Sequence, residues 1–480
     1  MTGNTSPGRL AVAGSSPRGR TSRFPRRVEL AAAVVAFAAA VAVWAVTRTY
    51  PNYDSYYHLV WGREILDGTL PSLTAYAAPT QHPLYIAVAA VLGLVFGESG
   101  DRALVLVCFL AHAALVLGTY RLGAAVFGRW SGALAALFVA ASASFLLYAA
   151  RGYVDPPFLA LVVWAGVLAA EDRRGAPVLL VLAGLLRPEA WVLTGLWWLW
   201  RRRPRELPIV FIAPALWCLT DWIVTGNPIH SVQSTSALAE DLGRVRGLQH
   251  VPGSFVTFIG STVRPPVALL APVGAYLAWR FIGWRRVLVP GALLVGGIVT
   301  FVGTGVLGLS ILPRYLTVPA IAMCLFAGYA LLGFTEAEGR VRALWVRASA
   351  GAAVAGAIGL VILAPSLTNV REEMRFIRAT HDSLVALFAQ PEVQAGMRCG
   401  TLTFPTYRLV PDAKWHQQDA RIGARSAQRR DRGVEVFALG QKALRRYGFA
   451  DGTNPTVNLP NPAFERAASG GFLVAYVRCP

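Results

Sequence analysis

The stretch that decides the fold is Tyr50-Pro-Asn-Tyr-Asp54-Ser-Tyr-Tyr-His58, a polar and aromatic segment that directly follows a long apolar run. That run, from about residue 30 to residue 46, is long enough for a membrane-spanning helix at 1.5 Å rise per residue. The polar segment therefore emerges at a membrane surface and brings a single carboxylate there. Asp54 is for this reason the first candidate for a catalytic residue.

Composition points to the same class of protein. Hydrophobic residues make up 55% of the 480 residues and charged residues only 15%, and the mean hydropathy is +0.48. Because a soluble domain contains about 25% charged residues, the chain is predicted to lie mainly in a lipid bilayer. The net charge of +19 could indicate a nucleic-acid partner. The basic residues instead occupy short loops between apolar runs, as in membrane proteins, so no nucleic acid is expected.

The apolar runs predict an all-α polytopic membrane protein with about eleven spanning helices. Two runs decide the topology. The run at 83–97 is short for a span and is predicted to lie along the interface, as part of the first outer loop. The run at 177–200 is interrupted by Arg187-Pro-Glu189 and is predicted to form two short helices that meet outside. Every basic loop between spans then falls on the cytoplasmic side.

This topology divides the chain into three parts. Residues 1–27 carry six arginines and no acid, and are predicted to be a disordered cytoplasmic tail. Residues 28–365 form the membrane domain, and residues 366–480 a small α/β domain outside the cell. Cys399 and Cys479 are predicted to pair there, because disulfides persist in oxidising compartments. The expected location is the plasma membrane, with the N-terminus in the cytoplasm.

Unusual polar residues gather on the predicted outer side, where ionisable groups at membrane depth indicate function. They lie in Tyr53-Asp54 through Gly68-Thr-Leu-Pro71, Gln81-His82-Pro83-Leu84-Tyr85, Arg151-Gly-Tyr-Val-Asp155, Arg187-Pro-Glu189 and Pro313-Arg314-Tyr315-Leu-Thr-Val-Pro319. In this order, the segments resemble the signature of the GT-C fold glycosyltransferases. These include the protein O-mannosyltransferases and the aminoarabinose transferases. The resemblance covers about residues 28–335.

The resemblance implies an enzyme that moves a sugar from a polyprenyl phosphate carrier to an acceptor hydroxyl outside the membrane. Asp54 would be the general base that takes the proton of the acceptor. Arg187 and Arg314 would bind the phosphate, since arginine can hold a phosphate by two hydrogen bonds. Asp155 would position the acceptor, bind a metal or orient Arg151.

The sequence contains no phosphate-binding Gly loop, so no nucleotide cofactor is implied. Asp54, Asp155 and Glu189 are candidate ligands of Mg²⁺ or Mn²⁺, although their spacing does not require a metal. Many relatives carry two adjacent acids where this chain has Asp54 and Ser55, which leaves the acceptor open as a lipid, a glycan or a protein. The sugar is a hexose or a pentose, with mannose as one candidate. The remaining predicted substrate-binding residues are Tyr57, His82, Glu189 and Tyr315.

Structural interpretations stand beside the functional ones. Asp54 and Asp155 are both suited to the start of a helix. Arg187 and Glu189 can pair within a helix break, and Arg314 can extend to the membrane interface. Two other functions also compete with glycosyl transfer. One is a glycolipid transporter or flippase, which would usually show paired broken helices, and the other is a non-catalytic envelope assembly protein of the same fold.

Overall fold

The computed structural model describes residues 24–363, 365–419, 421–425, 431–448 and 455–479. Most of the predicted tail at 1–27 lies outside these ranges. The helices of the membrane part are α1 Arg26–Thr47, α2 Tyr53–Leu66, α3 Pro83–Phe96, α4 Gly100–Phe127, α5 Arg129–Ala140, α6 Ala143–Ala150, α7 Asp155–Ala170, α8 Ala176–Leu186, α9 Glu189–Arg201, α10 Pro208–Thr225, α11 His230–Asp241, α12 Val251–Val263, α13 Pro265–Ile282, α14 Leu288–Val306, α15 Thr317–Leu332 and α16 Gly339–Leu363.

Apolar helices of this part are long enough to cross a bilayer. Within the described ranges, seven segments meet this test by length and composition, and the bent pair α5 and α6 would make an eighth. The helices α7 and α8 are apolar but shorter. A polytopic helical membrane protein is therefore confirmed, while the number of eleven spans stays a prediction.

The run at 83–97 forms α3, which ends at a 3₁₀ turn at Gly97–Ser99. By length and composition α3 and α4 together count as one of the seven segments, and the interfacial position of α3 stays a prediction. The chain between α8 and α9 is broken at Arg187 and Pro188, as the sequence predicts. A residue before proline is driven out of helical geometry, and Arg187 is indeed extended, with φ −152° and ψ 136°.

The membrane core is built around α15, which is buried on almost every side. It packs against α13, α14 and α5, while α4 packs against α5 and α7. The close approach of α13 and α15 requires a glycine. A Cβ atom at Gly274 would lie 1.9 Å from the carbonyl oxygen of Phe326, so any larger residue would force the helices apart.

The C-terminal part is a small α/β domain, as predicted. Its elements are α17 Pro365–Phe388, α18 Pro391–Cys399, β1 Thr401–Phe404, α19 Val410–Gln417, β2 Ile422–Ala424, β3 Gly433–Ala438, α20 Gln441–Tyr447, β4 Glu465–Gly470 and β5 Leu473–Arg478. The five strands have the order β2-β1-β3-β5-β4, with β1 parallel to β2 and β3, and β5 antiparallel to β3 and β4.

This domain docks on the membrane domain through α19. The guanidinium of Arg63, on α2, donates hydrogen bonds to the carbonyl oxygens of Lys414 (2.7 Å) and Trp415 (2.8 Å), and lies 4.9 Å from the centre of the Trp415 ring. The indole N–H of Trp415 donates to the carbonyl oxygen of Glu98 at 3.1 Å. These contacts fasten the C-terminal domain to α2, the helix whose first turn carries Asp54. A disulfide joins Cys399 and Cys479, whose Cα atoms are 5.9 Å apart.

Candidate active site

Asp54 lies in the first turn of α2, and Asn52 fixes that turn. The side-chain oxygen of Asn52 accepts hydrogen bonds from the backbone N–H groups of Asp54 (2.7 Å) and Ser55 (3.2 Å). This is the N-cap arrangement that satisfies the free N–H groups at a helix start. Because Asn52 is the cap, the interpretation of Asp54 as a helix cap is wrong, and its carboxylate is available for another role.

The motif around Arg151 is bound to this same loop. The backbone N–H of Asn52 donates to the carbonyl oxygen of Arg151 at 2.7 Å. The carbonyl oxygen of Gly152 accepts from the hydroxyls of Ser55 (2.5 Å) and Tyr85 (2.6 Å). Gly152 has a φ of +60°, a conformation that glycine adopts without strain. These bonds place two distant motifs side by side.

Arg314 reaches Asp54 from a 3₁₀ turn at Pro313–Leu316. Its Nη1 lies 2.9 Å from Oδ2 of Asp54. The exposed fractions of the two side chains are 20% for Arg314 and 19% for Asp54, so the pair is accessible from the solvent side. A charge-assisted bond of this kind orients both groups. Arg314 therefore pairs with Asp54, the candidate base, and does not extend freely to the membrane interface.

A cavity of about 610 Å³ opens in front of this pair, between the membrane domain and the C-terminal domain. Its wall is strongly cationic and aromatic, which suits a phosphate joined to a sugar. Tyr315 is part of the wall, next to Arg314. The arginines and the tyrosines among its other lining residues are Arg151, Arg244, Arg408 and Arg446, and Tyr50, Tyr53, Tyr56, Tyr148, Tyr153, Tyr407 and Tyr447.

Asp155, Arg187 and Glu189 form a buried cluster that does not line this cavity. Arg187 donates to Oδ1 of Asp155, and its Nη2 lies 2.5 Å from Oε1 of Glu189. The guanidinium also lies over the Tyr315 ring, 5.3 Å from its centre. The structural interpretation of Arg187, a pair with Glu189 within the helix break, agrees with these contacts, while phosphate binding by Arg187 stays a prediction. The cluster stands directly behind Tyr315, a residue of the cavity wall.

His82, just before α3, and Tyr57, on α2, are both buried. His82 stacks on His58 with ring centres 5.1 Å apart. Burial lowers the pKa of His58 to about 4, and burial followed by the neighbouring His58 lowers the pKa of His82 well below its usual value. His58 Nδ1 lies 2.6 Å from the carbonyl oxygen of Asp54. Tyr57 donates to the carbonyl oxygen of Tyr76 at 3.4 Å. Neither His82 nor Tyr57 lines the cavity.

The C-terminal domain supplies residues that the sequence analysis missed. Tyr407 stands 5.3 Å from Tyr53 by ring centres, and its hydroxyl accepts a hydrogen bond from Arg244 at 3.4 Å. His381 stacks on Tyr50 at 3.5 Å. No local pattern marks these contacts, because they depend on how the domain docks. Tyr50, in contrast, lies within the segment quoted first and could have been selected as a wall residue.

The carboxylates predicted as possible ligands of Mg²⁺ or Mn²⁺ are each occupied by an arginine. Asp54 pairs with Arg314, and both Asp155 and Glu189 pair with Arg187. They lie in two separate groups.

Comparisons with known proteins add information on the fold. No protein-family model and no curated protein matches the chain. The crystal structure of ArnT from Cupriavidus metallidurans bound to undecaprenyl phosphate superposes with a TM-score of 0.54 at 13% identity, covering 92% of this chain and 97% of that one. The apo structure of the same ArnT gives 0.52 at 13% identity, covering 94% and 98%. Over nearly its whole length, the chain has the fold of ArnT, the GT-C fold that its motifs resemble.

Proposed function

We propose that the chain is a membrane glycosyltransferase that moves a sugar from a polyprenyl phosphate carrier to an extracytoplasmic acceptor. The observation that carries the proposal is the carboxylate of Asp54 at the wall of a cationic cavity, paired with Arg314. The similarity of fold to ArnT, which was crystallised with undecaprenyl phosphate, supports the class of carrier. The protein would act in the plasma membrane, with the cavity facing outward.

In the proposed reaction, Asp54 takes the proton of an acceptor hydroxyl while the hydroxyl oxygen bonds to the anomeric carbon of the sugar. The bond between that carbon and the phosphate oxygen breaks, and its electron pair stays on the phosphate. Arg314 would balance the charge that develops on this leaving group. Direct displacement with inversion is the simplest course, because it requires a single base.

Asp155 and Arg187 would support this reaction from behind the wall. Buried ion pairs hold their partners in a fixed orientation, and the guanidinium of Arg187 lies against the ring of Tyr315. Through that contact, the cluster would hold Tyr315 in place beside Arg314. Asp155 would thus act on the substrate indirectly, through Arg187 and Tyr315. Mg²⁺ or Mn²⁺ bound at the phosphate is the alternative to Arg314 as the positive charge that balances the leaving group. Transfer measured with and without a chelator distinguishes the metal ion from the arginine.

The test is transfer from radiolabelled polyprenyl phosphate sugars, mannose and arabinose first, by the full-length protein in lipid vesicles. Asp54→Asn keeps the size of the side chain and is expected to lower the rate at least about 100-fold, the usual contribution of a general base. Asp67→Asn, the same change on an exposed residue at the end of α2, is expected to leave the rate within about twofold. Equal rates for both variants would contradict the proposal. A folded native chain that uses no donor would favour the transport or assembly functions.

A further inference from the structure

Four ionisable side chains meet where the two domains join, and two of them, His381 and Asp412, line the same cavity as the ion pair of the proposed reaction. Asp101 belongs to the first turn of α4 in the membrane domain. His381 lies on α17, and Asp412 and His416 lie on α19 of the C-terminal domain. One ligand atom each from Asp101, His381 and His416 lies within 4.8 Å of the others. The cluster therefore combines residues from both sides of the domain interface.

Three distances within the cluster are close to those between ligands of one ion, and Asp412 adds a fourth side chain to the group of three. Oδ1 of Asp412 is 3.4 Å from Nδ1 of His381 and 3.5 Å from Nε2 of His416. The same Nε2 is 3.8 Å from Oδ2 of Asp101. A tetrahedral Zn²⁺ holds nitrogen and oxygen ligands at about 2.0–2.2 Å, which places neighbouring ligand atoms about 3.4 Å apart. Three of the separations agree with this value to within about half an ångström.

Two of these atoms have no hydrogen-bond partner among the described residues. Oδ1 of Asp412 and Nε2 of His416 are both buried and both unpaired. A buried polar atom without a partner is costly and requires an explanation, such as a bound ion. The two unpaired atoms lie 3.5 Å apart, so an imidazole nitrogen faces a carboxylate oxygen, and a cation between them would satisfy both.

Neighbouring groups orient the cluster in the way that is usual around metal sites. The hydroxyl of Tyr56 donates to Oδ2 of Asp101 at 3.2 Å, and the backbone N–H of Arg102 donates to its Oδ1 at 2.5 Å. The ring of Tyr50 stacks on His381 at 3.5 Å. Hydrogen bonds such as the two that Asp101 accepts fix the direction of metal ligands. Tyr50 and Tyr56 belong to the segment around Asp54, so the cluster is connected with the wall of the cavity.

We propose that Asp101, His381 and His416, with Asp412 as the fourth ligand, bind a Zn²⁺ ion that fastens the C-terminal domain to the membrane domain. Two imidazoles and two carboxylates are a ligand set that Zn²⁺ accepts in tetrahedral geometry. Four protein ligands leave no open position, which is typical of a structural ion. This site is distinct from the carboxylates discussed for the glycosyl transfer step, and it does not depend on that function.

The test is the zinc content of the full-length protein, purified without a histidine tag, stripped with EDTA and then exposed to Zn²⁺. About one tightly held zinc per chain is expected for the native protein. Asp101→Asn and His416→Ala are expected to lose most of it, and His250→Ala, on an exposed residue far along the chain, is expected to retain it. Added Zn²⁺ should raise the Tm of the stripped native protein by several degrees and leave that of the two ligand variants unchanged.

A stripped native chain that stays folded and takes up no more zinc than Asp101→Asn would overturn the proposal. The cluster would then be a hydrogen-bonded network of His381 and Asp412 without an ion. Loading with Co²⁺ provides a second readout, because tetrahedral Co²⁺ has intense visible bands that octahedral Co²⁺ lacks. Native protein without these bands would also contradict the proposed geometry. Neither readout requires a glycosyl donor, so the result is independent of the proposed function.

Discussion

Asp54 and Arg314, 260 positions apart in the sequence, form a 2.9 Å ion pair at the wall of the cavity. The pair joins the loop after the first helix with the turn before α15. In the proposed reaction the two charges serve different partners, since the carboxylate takes a proton and the guanidinium faces a phosphate. Their mutual contact holds both groups in place before the substrates arrive, which limits the reorganisation that the reaction requires.

Arg314→Met is expected to lower kcat/KM for a polyprenyl phosphate sugar by about 100- to 1000-fold, the usual effect of removing one donor to a developing charge. The Tm should change little, because a partly exposed pair contributes roughly 0–1 kcal/mol to stability. Steady-state transfer assays and thermal unfolding measure the two effects. Arg246→Met is the control, since Arg246 forms an ion pair with Glu240 on an exposed loop. Equal activity of both variants would exclude a role of Arg314 in transfer.

Arg187→Met should instead act on stability. Arg187 is buried and balances two carboxylates, those of Asp155 and Glu189. Without it, two negative charges remain in the core, and breaking a buried pair in this way costs about 3–5 kcal/mol. Unfolding of the purified protein by heat or denaturant measures the loss. Arg201→Met, at an exposed pair with Asp172, should cost less than about 1 kcal/mol. Similar losses for both would show that the buried cluster is not a strong structural element.

The sequence allowed the membrane class, the helix break and the α/β domain to be predicted, because these depend on local patterns. Apolar length marks spans, and Pro188 disfavours helical geometry at Arg187, the residue before it. The ion pair of Asp54 with Arg314 was not predicted, although both residues were named, since a pattern gives no distance across 260 positions. Tyr407 and His381 were missed altogether. Their place in the cavity wall depends on the docking of α19 on α2, which is decided by tertiary packing.

Acid should destabilise the protein through His58. Burial lowers the pKa of His58 to about 4 in the folded state, while an unfolded histidine has a pKa of about 6.5. The unfolded state therefore binds more protons between these values, and the free energy of unfolding falls as pH decreases from about 6.5 to 4. At 1.36 kcal/mol per pKa unit, this residue contributes about 3 kcal/mol. His58→Asn, which can keep a donor near the carbonyl of Asp54, should flatten the decline of Tm between pH 7 and pH 5. The exposed His250→Asn variant should show the same decline of Tm as the native protein. Identical declines in the native protein and both variants would contradict the role of His58 in acid destabilisation.

The disulfide between Cys399 and Cys479 provides a test of stability and of orientation together. It closes a loop of 80 residues around the C-terminal sheet, and in the chain-entropy account its loss costs about 4.5 kcal/mol. If this domain lies outside the cell, a membrane-impermeant reductant followed by an impermeant maleimide should label both cysteines in sealed right-side-out vesicles. The half-buried Cys218 is first replaced by Ser in all proteins, since Cys108 and Cys324 are buried. Without the reductant, or in the Cys399→Ser, Cys479→Ser variant of this background, labelling should then be absent. Labelling that requires opened vesicles would place the domain in the cytoplasm and overturn the predicted topology, and with it the outward direction of the cavity.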